Sequence, residues 1–147
     1  MSLSNEEGGK INAILIFEVL GRPPEKLTET LNEIINQIDK ERGISVKEKD
    51  IKEPVEMKEE KGFYSSFAEV EIKAEEISNI GMIVFKYMPS HIEIISPESI
   101  TLTNNECNNI FNEITRRLHG YDEVARVVQF EKAVLEKKLR SLLEKTE

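Results

Sequence analysis

The residues that could carry chemistry in this sequence are few and scattered. Its 147 residues include two histidines and one cysteine. Ser90 and His91 are adjacent, and because neighbours on an extended chain point to opposite faces, they cannot serve each other as nucleophile and base. His91 and Glu93 could share a strand face as metal ligands, but a metal site needs at least one more donor. The pattern favours a non-enzymatic protein without a cofactor or a metal, with an enzyme as the weaker alternative.

The second histidine and the cysteine fit structural roles. His119 falls in "RRLHG", which predicts the last turn of a helix that Gly120 stops or kinks, where cationic side chains interact well with the helix dipole. Cys107 has the spacing of a helix residue that faces the core, where a lone thiol acts as a small apolar side chain. A single cysteine also excludes an internal disulfide framework.

Glu18 is the most unusual acidic residue because it interrupts an apolar strand. The segment "INAILIFEVL" is otherwise almost continuously apolar, which is typical of a central strand covered on both faces. A buried carboxylate is costly unless it is paired. We therefore expect Glu18 either to pair with Arg22 or a lysine, or to line a ligand cavity.

Apolar spacings predict the elements that would position these residues. Their order is strand, helix, strand, strand, helix, strand, then helices, which predicts an α+β fold: a ferredoxin-like βαββαβ antiparallel sheet with a C-terminal helical extension. Pro54 marks the second strand as an edge strand. The predicted strands are Ile11–Leu20, Ile44–Met57, Phe63–Ile72 and Ile92–Ile95, the last resuming at "ITL" after a kink. The predicted helices are about Pro24–Arg42, Glu75 to before Pro89, Thr103 to Gly120, and Asp122–Lys145.

The same pattern predicts the domain boundaries. Residues 1–10 are expected to be a disordered leader or residues added for expression. Residues 11–103 form the ferredoxin-like domain. Residues 104–147 form the helical extension, packed either on the same domain or on a second subunit.

Several apolar residues have no place in the predicted core. Phe63 and Phe67 take the outward parity of their strand, and the last helix carries a broad apolar stripe. Because a contiguous exposed apolar patch usually marks an interface, we expect a homo-oligomer, most simply a dimer. The predicted interface residues are Phe63, Phe67, Val124, Val128, Leu135, Leu139 and Leu142.

The charge distribution restricts the possible partners. The formal net charge of −8 disfavours nucleic acid and anionic membranes as partners. Residues 116–147 carry a net charge of +2, so they could pair with the acidic remainder of their own chain or a neighbour. Phe17, Phe63 and Phe67 resemble the stacking aromatics of RNA-recognition modules, but without a Lys/Arg stripe RNA binding is a minor alternative. No apolar run reaches the roughly 18 residues of a membrane span, so we expect a soluble, cytoplasmic protein.

The stretch "VLGRPPEKLTETLNEIINQIDKERGISV" resembles the opening of ACT-type regulatory domains, small βαββαβ modules that bind amino acids or similar effectors at subunit interfaces. The similar features are the hydrophobic strand, the Arg22–Pro23 turn, the helical leucines and the "GISV" entry to the second strand. They cover Ile11–Val46, and topology extends the resemblance to Leu102. Pro24 stands where the family usually has glycine. The resemblance implies a small-molecule effector at the turn, with Glu18, Gly21, Arg22, Pro23 and Pro24 as candidate ligand-binding residues.

Two functions are therefore expected ahead of the others. The first is an oligomerising module that senses a small molecule at this turn. The second is a protein–protein interaction subunit that has no ligand.

Overall fold

The computed structural model describes residues 10–146. Residues 1–9 of the predicted leader therefore lie outside the described residues. The chain divides into two units, one ending at Thr101 and the other beginning at Leu102. The elements of the first unit are β1 (Ile11–Gly21), α1 (Pro24–Asp39), β2 (Ile44–Ile51), β3 (Val55–Glu56), β4 (Tyr64–Ala74), α2 (Ile77–Tyr87) and β5 (His91–Ser96).

The sheet of the first unit is built on the pairing of β1 with β4. The two strands pair antiparallel over their whole length, from Ile11 opposite Ala74 to Gly21 opposite Tyr64. The strand order is β2-β4-β1-β5, β3 also pairs with β4, and every pairing is antiparallel. The predicted α+β class, the interior position of β1 and the edge position of β2 are confirmed. Pro54, which lacks a backbone donor, lies between β2 and β3.

Strand alternation places the core on one face of this sheet. Alternate residues of β1 and β4 are buried and pack with the apolar stripe of α1 and with α2. The fully buried members with the largest side chains are Leu15, Leu31, Ile35, Ile38, Ile72, Ile83 and Val70. The predicted inward face of β4 is confirmed for Ala68, Val70 and Ile72, whereas Tyr64, predicted on the same face, is half-buried. In α2, Ile80 and Ile83 are buried, and Met88 is exposed beyond the helix end.

Three details of the sheet differ from expectation. The strand predicted over Ile44–Met57 is interrupted at Pro54, so β2 ends at Ile51 and β3 covers only Val55–Glu56. The outward residues of β1, such as Ile14 and Ile16, are half-buried, so the strand is fully covered on one face only. β5 ends at Ser96, and "ITL" does not resume it. Pro97 follows directly and cannot donate a ladder hydrogen bond, which gives the strand a physical reason to stop there.

The connection from α1 to β2 requires glycine at position 43. α1 ends at Asp39, three residues before the predicted end, and Gly43 takes a left-handed φ of 76°. A Cβ at Gly43 would lie 2.7 Å from the side chain of Asn79. Asn79 Nδ2 in turn donates to the carbonyl oxygen of Arg42 at 3.2 Å, and its Oδ1 accepts from the backbone N–H of Glu76. This contact fastens the loop to the start of α2.

The second unit contains one long helix, α3 (Asn104–Lys145). Thr103 caps it, and Thr103 and Glu106 exchange the reciprocal bonds of a capping box. The predicted break at Gly120 is wrong, because the helix continues through it. A mid-helix glycine costs about 1 kcal/mol, which a long helix of good helix formers can tolerate. His119 is therefore a mid-helix residue and not part of a last turn.

At about 1.5 Å per residue, the 42 residues of α3 span roughly 63 Å. None of them is buried, and Cys107, expected to face a core, is half-buried. Within the described part of the chain, no helix combines the length and apolar character needed to cross a membrane.

A polar cluster connects the end of α1 to α2. Glu41 Oε1 accepts from Lys86 Nζ at 2.6 Å and from the Tyr87 hydroxyl, also at 2.6 Å. The ammonium of Lys86, followed by the hydroxyl of Tyr87, lowers the pKa of Glu41 below its ordinary value. The ionised form of Glu41 is therefore the one that the folded state prefers.

This preference predicts a specific acid sensitivity. A carboxylate whose folded pKa is depressed stabilises the protein above its ordinary pKa of 4.5, and that stabilisation is lost as the pH falls through the folded pKa. We expect Glu41→Gln to lower the melting temperature at neutral pH and to make it less dependent on pH below about 4.5. Circular dichroism melts across the acid range measure this. Glu33→Gln, on the exposed side of α1, should keep the parental acid profile, and an unchanged profile in Glu41→Gln would contradict the assignment.

Candidate functional site

The predicted ligand-binding turn joins β1 to α1. Gly21 ends β1 with a φ of 152°, a conformation that favours glycine. The Arg22–Pro23 peptide bond is cis. The carbonyl oxygen of Pro23 accepts from the backbone N–H of Lys26 at 3.1 Å, and Pro24 occupies the first helical position, where a missing N–H costs nothing. The two prolines thus start α1 at a defined point.

Arg22 connects this turn to a predicted interface residue. Its guanidinium carbon lies 4.9 Å from the ring centroid of Phe63, a cation–π contact. Phe63 precedes β4, and the end of β1 reaches it because Gly21 pairs with Tyr64. The structure therefore brings together Arg22, which was predicted to bind a ligand, and Phe63, which was predicted to lie at an interface.

The prediction that Glu18 is a buried acid is wrong. Glu18 is exposed on the outer face of the sheet, directly opposite Phe67, which is 41% exposed. The cause is the strand alternation: Phe17 points into the core at 2% exposure, so Glu18 must point away from it. Because its carboxylate is exposed, Glu18 needs no ion-pair partner, and it does not pair with Arg22.

The outer face of the sheet is acidic where β2 meets β4. Glu48 pairs with Glu71, and Asp50 pairs with Glu69, so carboxylates lie directly opposite each other. Like charges in such positions repel, and the face as a whole repels a phosphate backbone. Phe17 is not available for base stacking because it is buried. Both features disfavour RNA binding at this sheet.

A shallow cavity lies at the other end of the same sheet, away from the turn. Its volume is about 180 Å³, and it lies where Ile11, Ala74 and Ile44 pair across three strands. Among the described residues, its three lysines form no ion pair. The lining residues are Lys10, Gly43, Ile44, Ser45, Lys47, Lys73, Ala74 and Glu75. Three lysines and the hydroxyl of Ser45, against the single carboxylate of Glu75, suit an anionic group.

The lysines of this cavity were not identified from the sequence. Lys10, Lys47 and Lys73 are far apart along the chain, and only the strand register brings them to one place. No motif or spacing signals such a site. The pairing of β2 with β4 is what brings Lys47 close to Lys73.

The predicted interface residues of α3 are all exposed. Their exposed fractions run from 55% at Val128 to 64% at Leu135, and Val124, Leu139 and Leu142 fall between these values. His91 is exposed at the start of β5, and His119 is exposed on α3. Within residues 10–146, no group of three or more His, Cys, Asp or Glu side chains is placed to hold a metal ion.

The contact between Arg22 and Phe63 predicts an energetic coupling between the turn and β4. A double-mutant cycle with Arg22→Ala and Phe63→Ala should give a coupling energy of about 0.5–1 kcal/mol, the usual range for an exposed cation–π pair. Urea unfolding of the four proteins measures it. Pairing Phe63→Ala with Lys26→Ala, whose charge lies on α1, serves as the control and should show no coupling. Additive effects for Arg22 and Phe63 would contradict the contact.

Comparison with known proteins places the chain in a family. No curated protein and no solved structure matches it. A protein-family model matches residues 12–142, from the start of β1 to near the end of α3. Because this match covers most of the chain and includes both units, the chain belongs to the MJ0538 family.

Proposed function

We propose that this chain is a non-enzymatic, self-associating module of the ferredoxin-like type. The strand order β2-β4-β1-β5, with β3 as a short addition, supports this assignment. Each helix of the first unit joins two strands that are separated by one antiparallel strand, which is the split βαβ arrangement. The proposal treats the protein as a structural or regulatory component that acts through its surfaces.

The observation that carries self-association is the amount of apolar side chain exposed on α3. Large apolar residues are exposed from the first part of the helix to its end: Phe111 is 64% exposed and Leu142 is 62% exposed. Single exposed apolar residues are ordinary, but a contiguous set of this length is typical of an interaction surface. The predicted residues Val124, Val128 and Leu135 belong to it.

The outer face of the sheet offers a second apolar contact. Phe67 is 41% exposed and Leu20 is 58% exposed on this face, beside the half-buried Ile14 and Ile16. The acidic side chains of Glu18, Glu69 and Glu71 surround these apolar residues. A partner of this face would need an apolar centre and cationic edges.

Self-association predicts that the mass and the melting temperature depend on concentration. Sedimentation equilibrium of the full chain across micromolar concentrations should give the mass of two chains. The melting temperature should rise with protein concentration, because association stabilises the folded state by mass action. A single-chain mass at all concentrations, together with a constant melting temperature, would contradict the proposal.

Binding of a small anionic effector is the second candidate function. The observation that favours it is the cavity lined by Lys10, Lys47 and Lys73, which provides positive charge in an acidic protein. The resemblance to ACT-type domains suggests effector binding independently, but at the turn that contains Arg22. The two locations lie at opposite ends of β1, so they can be tested separately.

Thermal unfolding against phosphate, citrate and amino acids, at matched ionic strength, distinguishes the two locations. A ligand at about 100 times its dissociation constant stabilises the folded state by about 2.7 kcal/mol, a shift of a few degrees. We expect an anion to raise the melting temperature, and Lys47→Gln combined with Lys73→Gln to abolish the rise. Lys58→Gln combined with Lys61→Gln, in the turn before β4, removes the same charge and should keep it.

Loss of the shift in Arg22→Ala, with the cavity variant unaffected, would assign the effector to the turn. A flat response to the whole panel would contradict effector binding at either place. Self-association would be unaffected by that result.

A further inference from the structure

The apolar residues of α3 follow one unbroken heptad repeat. Steps of four and three residues alternate from one end of the helix to its C-cap, and ten of the twelve positions are apolar. This is the a/d pattern of a coiled coil. The d positions are Cys107, Ile114, Tyr121, Val128, Leu135 and Leu142, and the a positions are Phe111, Leu118, Ala125, Lys132, Leu139 and Thr146. We call these twelve residues the seam.

The seam is open to solvent beyond its first residue, Cys107, which is half-buried. Its large apolar members are exposed, from 37% at Ile114 to 64% at Phe111 and Leu135. A repeat of 3.5 residues keeps one stripe facing a partner only when that partner is a helix with the same repeat. Among the described residues, α1 and α2 are short and pack their apolar stripes into the core of the first unit. Neither of them is left to match this repeat, whereas α3 of a second copy carries the same repeat over its full length.

We propose that α3 pairs in parallel and in register with α3 of a second copy as a two-stranded coiled coil. This inference rests on the proposed self-association and identifies the surface and the partner. The number of strands follows from Lys132, the one charged residue at an a position. In a two-stranded coil a long lysine side chain can reach the edge of the seam and keep its ammonium in water.

One pair of charges beside the seam suits the parallel orientation. Arg117 at position g and Asp122 at position e are five residues apart, the spacing that joins two parallel helices by an ion pair. Both already pair within their own helix: Arg117 Nε donates to Glu113 at 2.9 Å, and Asp122 Oδ2 lies 3.0 Å from Arg126 Nε. A guanidinium has five donors and a carboxylate about four acceptor positions, so each can accept a second partner.

An antiparallel pair with full overlap would place Arg117 between Glu131 and Lys138 of the second copy, so attraction and repulsion would oppose each other there. The parallel pair does bring Glu131 close to Glu136 of the second copy. Lys132 lies between them in each helix, and its Nζ is 4.0 Å from Glu136 Oε1 of its own chain. Its ammonium therefore offsets this repulsion.

Cys107 allows a direct test because it is the only cysteine and occupies the first d position. In the parallel pair the two Cys107 residues face each other, within the Cα separation of about 7 Å that a disulfide requires. In an antiparallel pair they would lie at opposite ends of the helix, roughly 60 Å apart. We expect mild oxidation of the full chain to give a covalent dimer that a reducing agent reverses. Cys107→Ser combined with Asn109→Cys moves the thiol to position f and should prevent the cross-link.

The seam itself is tested by Leu135→Asp combined with Leu139→Asp. Sedimentation should give one chain for this variant, with the circular dichroism of the first unit's sheet retained. Phe130→Asp is the matched control, since Phe130 is 71% exposed at position f on the opposite side of the same helix. It should remain a dimer.

The outcomes separate the coiled coil from self-association in general. A parent dimer that the seam variant does not dissociate would overturn the coiled coil and leave the sheet face as the interface. A dimer that the seam variant does dissociate, but that does not cross-link through Cys107, would overturn the parallel orientation. A parent that is monomeric at every concentration would overturn both the coiled coil and the proposed function.

Discussion

The antiparallel register between β1 and β4 is the constraint on which the first unit depends. Ile11 pairs with Ala74, and the two strands keep this register to Gly21 and Tyr64. Because side chains alternate across a strand, a slip of one residue would move the whole buried set to the outer face. The register therefore determines which apolar residues form the core. It also determines which acidic residues lie on the outer face of the sheet.

The same register positions both candidate binding places. At one end of β1 it brings Arg22 to Phe63, and at the other end it gathers Lys10, Lys47 and Lys73 around the cavity. Neither arrangement depends on residues that are close in sequence. The lysines lie near the strand ends, where the backbone of Gly43 leaves the pairing, so their convergence follows from the fold and not from a motif.

Local patterns were sufficient to predict most of the first unit. Alternation in "FYSSFAEVEI" correctly assigned the inward face of β4, and Pro54 correctly marked the edge of the sheet. The errors arose where a single residue type was given more weight than its context. Glu18 was predicted to be buried because its strand is apolar. The alternation of β1 already placed Glu18 on the face opposite the core. Contacts such as Gly43 with Asn79 depend on tertiary packing, which no local pattern contains.

Gly120 had the largest effect on the functional prediction. Treating it as a stop or kink divided α3 into two predicted helices, and only the second was assigned an apolar stripe. Once the helix is continuous, Leu118 and Tyr121 fall on the same seam as Val128 and Leu135. Whether a glycine in the middle of a long repeat ends the helix is better judged from the apolar residues on both sides of it. If they keep one seven-residue spacing, the helix is expected to continue.

The length of α3 also bears on how it remains folded. Most helical stability in proteins comes from packing an apolar face, and isolated helices in water are marginal. α3 has no buried residue in the single chain, so its own contribution comes from its capping box and from surface ion pairs such as Arg126 with Asp122. Such exposed pairs contribute little each. Under the proposed coiled coil, formation of the complete helix is linked to burial of its seam, and the second copy takes part in the folding of α3.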